Sequence, residues 1–158
     1  MSVPPIGEGY RGPKGRSGYL LRQAWHELRA AMDITLRPHG LTPPQYSALT
    51  VLARDPGVSG ADLARGCNIS PQAMNGVLAT LERDGLVERA PHPTHGRILQ
   101  VNLTAEGQRR LDAARPDVDR LERMIERGLS SDEVGLVKGW LVTTAARMAV
   151  AASSAGRD

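Results

Sequence analysis

The feature that most restricts this chain is a close succession of helix starts and stops between Ser59 and Leu103. Ser59 and Asp62 have the spacing of a capping box, which opens a short helix around Leu63 and Ala64. Gly66 stands where that helix is expected to end. Ser70 and Pro71 then cap and open a second helix over residues 70–84. The segment "RDGLVER" ends it with a glycine and leads into a short strand, Leu86–Arg89. A loop, "APHPTHGR", follows. Beyond it Leu99, Val101 and Leu103 alternate with Gln100 and Asn102 as a second strand.

Helical patterns flank this core on both sides. Leu21, Ala24, Trp25, Leu28, Ala31, Met32 and Thr35 share one stripe between Ser17 and Arg37. Pro38 and Gly40 end that helix. Thr42, Pro43 and Gln45 open another, with Tyr46, Leu49, Leu52 and Ala53 as its inward stripe. Thr104 caps a long helix carrying Leu111, Ala114, Val118, Leu121 and Ile125, in which Pro116 is expected to make a kink. Ser130 and Glu133 open the last helix, with Val137, Trp140, Leu141, Ala145 and Met148. A short helix, a tight turn, a second helix and a two-stranded hairpin make the winged helix-turn-helix plan. The expected fold is mostly α with a small β-hairpin wing, framed by N- and C-terminal helices.

Residues 1–16 hold three Pro, four Gly and three basic residues, and read as a flexible basic arm. Residues 153–158 read as a disordered tail. The single cysteine, Cys67, excludes an internal disulfide framework and fits a reducing compartment, so a cytoplasmic protein is expected. No apolar run is expected to approach the ~18 residues of a membrane span, so no membrane partner is expected. The net charge of +3 permits an anionic partner without requiring one. Catalytic residues are expected to be none, because no nucleophile-elbow or Walker-type spacing occurs. No cofactor is expected.

The helix over 70–84 is unusual for its polar side. Met74, Val77, Leu78 and Leu81 cluster on one arc of the wheel, while Gln72, Asn75, Gly76, Ala79, Thr80 and Arg83 fill the opposite arc. A solvated helix normally shows Lys and Glu there. Gln and Asn instead carry the paired donors and acceptors that match adenine in the major groove, and Ala or Thr can meet a thymine methyl. Gly76 costs about 1 kcal/mol of helix stability relative to Ala, which points to a close approach by DNA or by another helix. The N-terminus at Ser70, Pro71 and Gln72 offers N–H groups to a phosphate. In the loop, Arg97 is a candidate for the minor groove or a phosphate, with His92, Thr94 and His95 beside it. Charge is thin, with four Arg and four acids across residues 61–97.

The segments "LTPPQYSALTVLA", "ADLARGCNISPQAMNGVLATLERDGLVER" and "GRILQVNLTAEGQ" together resemble the MarR family of bacterial transcriptional regulators. The resemblance covers about residues 17–150. It implies a homodimer held by its first and last helices, here residues 17–40 and 104–152, with a winged helix-turn-helix over 41–103 on double-stranded DNA. It implies a repressor on a pseudo-palindromic operator, released by a small lipophilic or phenolic effector. Trp25, His26, Arg29 and Tyr46 are the candidate effector-binding residues, as flat apolar walls and a partner for a carboxylate. The wing departs from the family's Asp-x-Arg-Asp-x-Arg pattern: His92, Thr94 and His95 replace its other members and only Arg97 is kept. His92 and His95 have an H-x-x-H spacing but no third ligand nearby, so metal-binding residues are expected to be none. Cys67 lacks an adjacent base and reads as a small core residue rather than a redox switch. The competing expectation is a winged-helix protein-interaction module without DNA binding.

Overall fold

The computed structural model describes residues 3–91 and 99–155. Six helices appear among them: α1 Ser17–Leu36, α2 Pro43–Arg54, α3 Gly60–Gly66, α4 Pro71–Arg83, α5 Ala105–Ile125 and α6 Ser131–Ala155. Three strands form one antiparallel sheet in the order β1-β3-β2: β1 Val58–Ser59, β2 Val87–Pro91 and β3 Leu99–Leu103. Val87 stands opposite Leu103 and Pro91 opposite Leu99. The expected strand at Leu86–Arg89 thus begins one residue later and runs two further. β1 was not expected at all. Two residues carry no readable alternation, and Val58 is a strand only because Val101 pairs with it.

The chain divides into two units, residues 1–121 and 122–158. In the first unit Leu36, Leu49, Leu52, Leu63, Met74, Leu78, Leu81, Leu86, Val101 and Leu111 make the fully buried centre. With no Phe in the chain, leucine does the filling. Of the α5 stripe, Leu111, Ala114 and Val118 are buried, whereas Ile125 is exposed. The helix is continuous through Pro116. His39, in a 3-10 turn after α1, bonds Asp117 of α5 through Nε2 at 2.9 Å. That bond, with Arg120 beside it, holds the Asp117 carboxyl below the usual carboxylate range.

Three helix ends in this unit close in one manner. A residue at or directly after the cap takes a left-handed conformation: Gly40, Asn68 and Gly85, with φ of 65°, 54° and 69°. The next residue's N–H then reaches back five positions, from Leu41 to Leu36, Ile69 to Ala64, and Leu86 to Leu81. Each of these next residues is apolar and packs into the core. α3 does end at Gly66, where the sequence placed its end, but the left-handed stop is supplied by Asn68 and not by that glycine. Asparagine tolerates this conformation less well than glycine. Asn68→Gly is expected to raise stability by about 0.5–1 kcal/mol in urea unfolding. A lowered midpoint would show that the Asn68 side chain itself holds the turn.

The stretch expected to be a flexible arm carries local structure in its described part. Gly9–Arg11 forms a 3-10 turn. Arg11 Nε donates to Gln23 Oε1 at 2.9 Å, Gln23 Nε2 donates to the Arg11 carbonyl at 3.2 Å, and Tyr10 meets Tyr19 edge-on. Side chain to main chain bonds hold this segment, and these leave no apolar period to read.

In the second unit Ser130 and Glu133 form the expected capping box, with Ser130 N–H donating to Glu133 at 2.7 Å. Those bonds keep the Glu133 carboxyl below its ordinary range. α6 extends to Ala155, past residue 153 where the tail was expected to begin. Leu136, Trp140, Val142, Met148 and Val150 are all exposed. The expectation that no stretch approaches membrane length is also corrected. Ser131–Ser154 is long and apolar enough to cross a bilayer by length and composition, with mean hydropathy 1.2 and none of it buried. Lys138 and Arg147 lie within it, nine positions apart and so on opposite sides of the helix. Each costs about 2.5–3.5 kcal/mol near a bilayer centre, which favours a protein cover over lipid.

Candidate nucleic-acid interface

α3, the turn at Cys67–Ser70 and α4 form the helix-turn-helix. α4 is held by its inner face: Met74, Leu78 and Leu81 are buried and Val77 is half-buried. Its outer face is open. Ser70, Pro71, Gln72, Ala73, Asn75, Gly76, Ala79 and Arg83 are exposed, and Thr80 is half-buried. The periodic reading of this helix matches its burial except at Thr80, which was expected on the open arc and is half-buried.

Its N-terminus offers fewer donors than the sequence had implied. Ser70 Oγ accepts from the Ala73 N–H at 3.1 Å, and Pro71 has no N–H. Of the first three helical residues, Gln72 keeps its N–H for an outside acceptor. Among the described residues the side-chain amides of Gln72 and Asn75 have no protein partner. Thr80 is different, since its hydroxyl donates to the Gly76 carbonyl at 3.2 Å. Arg83 pairs through Nε with the neighbouring Asp84 at 3.1 Å, so its charge is partly answered. Ala73 was not among the sequence candidates, although its place three residues before Gly76 puts it on the same face.

His92, Thr94, His95 and Arg97 lie outside the described residues. The strands that carry them are fixed by contacts the sequence did not announce. β1 extends the hairpin into a three-stranded sheet, and Ser59 at its end caps α3 by accepting from Asp62 N–H at 3.1 Å. The Ser59 hydroxyl, then Arg65, hold the Asp62 carboxyl below its usual range. Arg89 on β2 comes within 3.1 Å of Glu82 on α4, as a charge pair that is not aligned for a hydrogen bond.

The start of α5 closes onto the end of α4. Thr104 Oγ1 donates to the Gly85 carbonyl at 2.7 Å and accepts from the Gly107 N–H at 3.0 Å. The Thr104 N–H donates to the Leu86 carbonyl at 3.1 Å. Gly107 packs so closely that a Cβ there would overlap that same Leu86 oxygen. This clasp is the physical content of the segments "DGL" and "LTAEG".

Trp25, His26 and Arg29 line one open cleft of about 380 Å³, together with Arg11, Tyr19, Arg22, Gln23 and Glu27. Tyr46 is not among its lining residues; it is half-buried against the core. Arg11 was missed because the arm was read as unstructured; Tyr19 and Arg22 lie on α1 itself, six and three residues before Trp25. Cys67 is half-buried, and burial pushes its thiol up, away from the reactive thiolate. Among the described residues no cluster of three metal-ligating side chains occurs.

A three-stranded wing beside an exposed, neutral second helix defines a winged helix-turn-helix protein. The model of the MarR family matches residues 39–98. The HTH-type transcriptional repressor Rv2887 of Mycobacterium tuberculosis is 44% identical over 91 residues, covering 58% of this chain and 66% of that protein. The transcriptional regulator HosA of Escherichia coli O111:H- is 34% identical over 120 residues, covering 76% and 87%. The solved structure of the transcriptional repressor CouR bound to a 23-mer DNA duplex superposes with a TM-score of 0.76 at 28% identity, covering 82% of this chain and 92% of that one. Rv2887 in complex with p-aminosalicylic acid gives 0.65 at 33%, covering 83% and 99%. The chain belongs to the MarR family.

Proposed function

We propose that the protein is a sequence-specific DNA-binding transcriptional repressor that acts in the cytoplasm as a homodimer. The observation that carries this is the outer face of α4, where Gln72, Asn75 and Gly76 stand open to solvent beside the half-buried Thr80, while Met74, Leu78 and Leu81 anchor the helix from behind. Unpartnered amides beside small residues suit base edges, and the Gln72 N–H suits a phosphate. Ser70, Pro71 and Arg83 flank the site, and the wing residues His92, Thr94, His95 and Arg97 supply backbone or minor-groove contacts. The DNA complex of the related CouR supports this placement.

Dimerisation is supported by the bare apolar sides of α1 and α6, with Trp25 61% and Leu136 74% exposed. A helix this apolar needs cover in water. Two copies place two reading helices on a pseudo-palindrome with half-sites about 10 bp apart. For release, the cleft of Trp25, His26 and Arg29 joins aromatic walls to the Arg11, Arg22 and Arg29 guanidiniums. That chemistry suits a small aromatic acid, the class that the related Rv2887 holds in its p-aminosalicylic acid complex.

Selection from a random DNA pool tests the proposal, and an enriched palindrome is the expected result. A pool without enrichment would favour the second reading, a protein-interaction module, which the balanced charge of residues 61–97 supports. Asn75→Ala is expected to weaken operator binding by about 1–3 kcal/mol and to relax a single base position. Gel shifts on all single-base variants check this; an equal loss on every sequence would refute base reading by Asn75.

A further inference from the structure

We propose that Gly76 opens a methyl-sized notch on the outer face of α4, and that this notch receives the C5-methyl of one thymine in each half-site. The inference rests on the DNA-binding function proposed above and names its recognition chemistry. Gly76 is placed in mid-helix, where glycine is disfavoured relative to alanine. Its backbone does not need glycine, because its φ is not positive. Its surroundings do not need glycine either: a Cβ built there meets nothing within 4 Å. At Gly60, Gly66 and Gly107 a Cβ would touch Leu78, Val51 and Leu86, whereas Gly18 of α1 and Gly135 and Gly139 of α6 stand in open space as Gly76 does, and of these four only Gly76 lies on α4. Nothing within the free chain accounts for the missing side chain at position 76.

The rim of the notch is low and apolar. Residues three and four positions away on a helix surround a given site, and here these are Gln72, Ala73, Ala79 and Thr80. Ala73 and Ala79 are exposed and contribute only methyl groups. The Thr80 hydroxyl donates to the Gly76 carbonyl at 3.2 Å, so its donor is engaged and its methyl and oxygen lone pairs remain. Beside this apolar patch stand the free amides of Gln72 and Asn75. In the major groove the apolar group on a base edge is the thymine methyl, and the paired adenine presents N6 and N7 to an amide. An A·T pair therefore satisfies notch and amide together, whereas a cytosine leaves the notch empty.

The test uses the full-length protein and the operator obtained by pool selection. Each thymine is replaced in turn by uracil, which removes the methyl and keeps every hydrogen-bonding group. One position per half-site is expected to lose about fourfold in affinity, the worth of one buried methyl, and the other positions less than twofold. Gly76→Ala fills the notch. It is expected to melt about 3 °C above the wild type, by helix propensity. It should bind the operator at least tenfold more weakly, with a thymine-to-uracil ratio near one. An operator whose affinity ignores every uracil replacement overturns the notch and leaves DNA binding standing. So does a Gly76→Ala protein that keeps the wild-type ratio. Absence of any enriched sequence overturns DNA binding itself, and the notch with it.

Discussion

Gly107→Ala is expected to destabilise the protein by about 3 kcal/mol, although the same change in an ordinary helix stabilises by about 1 kcal/mol. The reversal comes from the clasp between α4 and α5. A Cβ at position 107 would overlap the Leu86 carbonyl oxygen and stand 3.0 Å from its carbon. That carbonyl cannot turn aside, because it accepts from the Thr104 N–H at 3.1 Å, while the Thr104 hydroxyl holds the Gly85 carbonyl. Leu86 is itself buried. A core and a hydrogen-bonded turn would both have to shift, and tightly packed interiors resist such shifts. Urea unfolding of wild type and variant measures the difference. A midpoint equal to or above that of the wild type would show that α5 can back away from Leu86 at little cost. Gly107→Ala and Gly76→Ala make an informative pair: one exchange, on two helices, with opposite expected effects on stability.

Leu81→Ala is expected to cost about 3–5 kcal/mol, the usual range for deleting a leucine from a sealed core. Leu81 is fully buried on the inner face of α4. Its carbonyl also accepts the Leu86 N–H at 2.8 Å, so its side chain and the one it turns into the core pack at the same helix end. Truncation removes packing there without touching any exposed residue of the outer face. The expected signature is a large fall in the unfolding midpoint, with operator binding recovered when the assay is run well below that midpoint. Leu81→Met should cost less than about 1.5 kcal/mol, since volume is kept. If Leu81→Ala kept full stability but lost DNA binding, the inner face would be acting in recognition and not only in anchorage.

The winged helix-turn-helix was legible because its boundaries are chemical. Ser59, Ser70 and Thr104 cap helices where they were expected to, and Gly40 and Gly85 end them. The outer face of α4 was legible for a related reason: a period of 3.6 residues separates Met74, Leu78 and Leu81 from Gln72, Asn75 and Gly76 without any knowledge of the rest of the chain. What escaped was non-local or aperiodic. β1 exists only through Val101, distant in sequence. The seat of the arm depends on one arginine exchanging hydrogen bonds with one glutamine. The stop at Asn68 needed a left-handed asparagine to be preferred over a nearby glycine. Tyr46 had the right chemistry for a ligand wall but lies on a helix whose inward side faces the core. Hydropathy marked α6 as apolar, yet it carries no information about what covers a helix.

The joint at Gly85, Leu86 and Gly107 has a mechanical consequence. α5 is an unbroken rod of 21 residues, about 30 Å long at 1.5 Å per residue. α4 is fastened to one end of it by the Thr104 N–H on the Leu86 carbonyl and by the short Thr104 hydroxyl on the Gly85 carbonyl. Leu111, Ala114 and Val118 carry the N-terminal part of that length into the core that also holds Met74, Leu78 and Leu81 of α4. A displacement of Leu86 or Gly107 therefore displaces α4 and the start of α5 together.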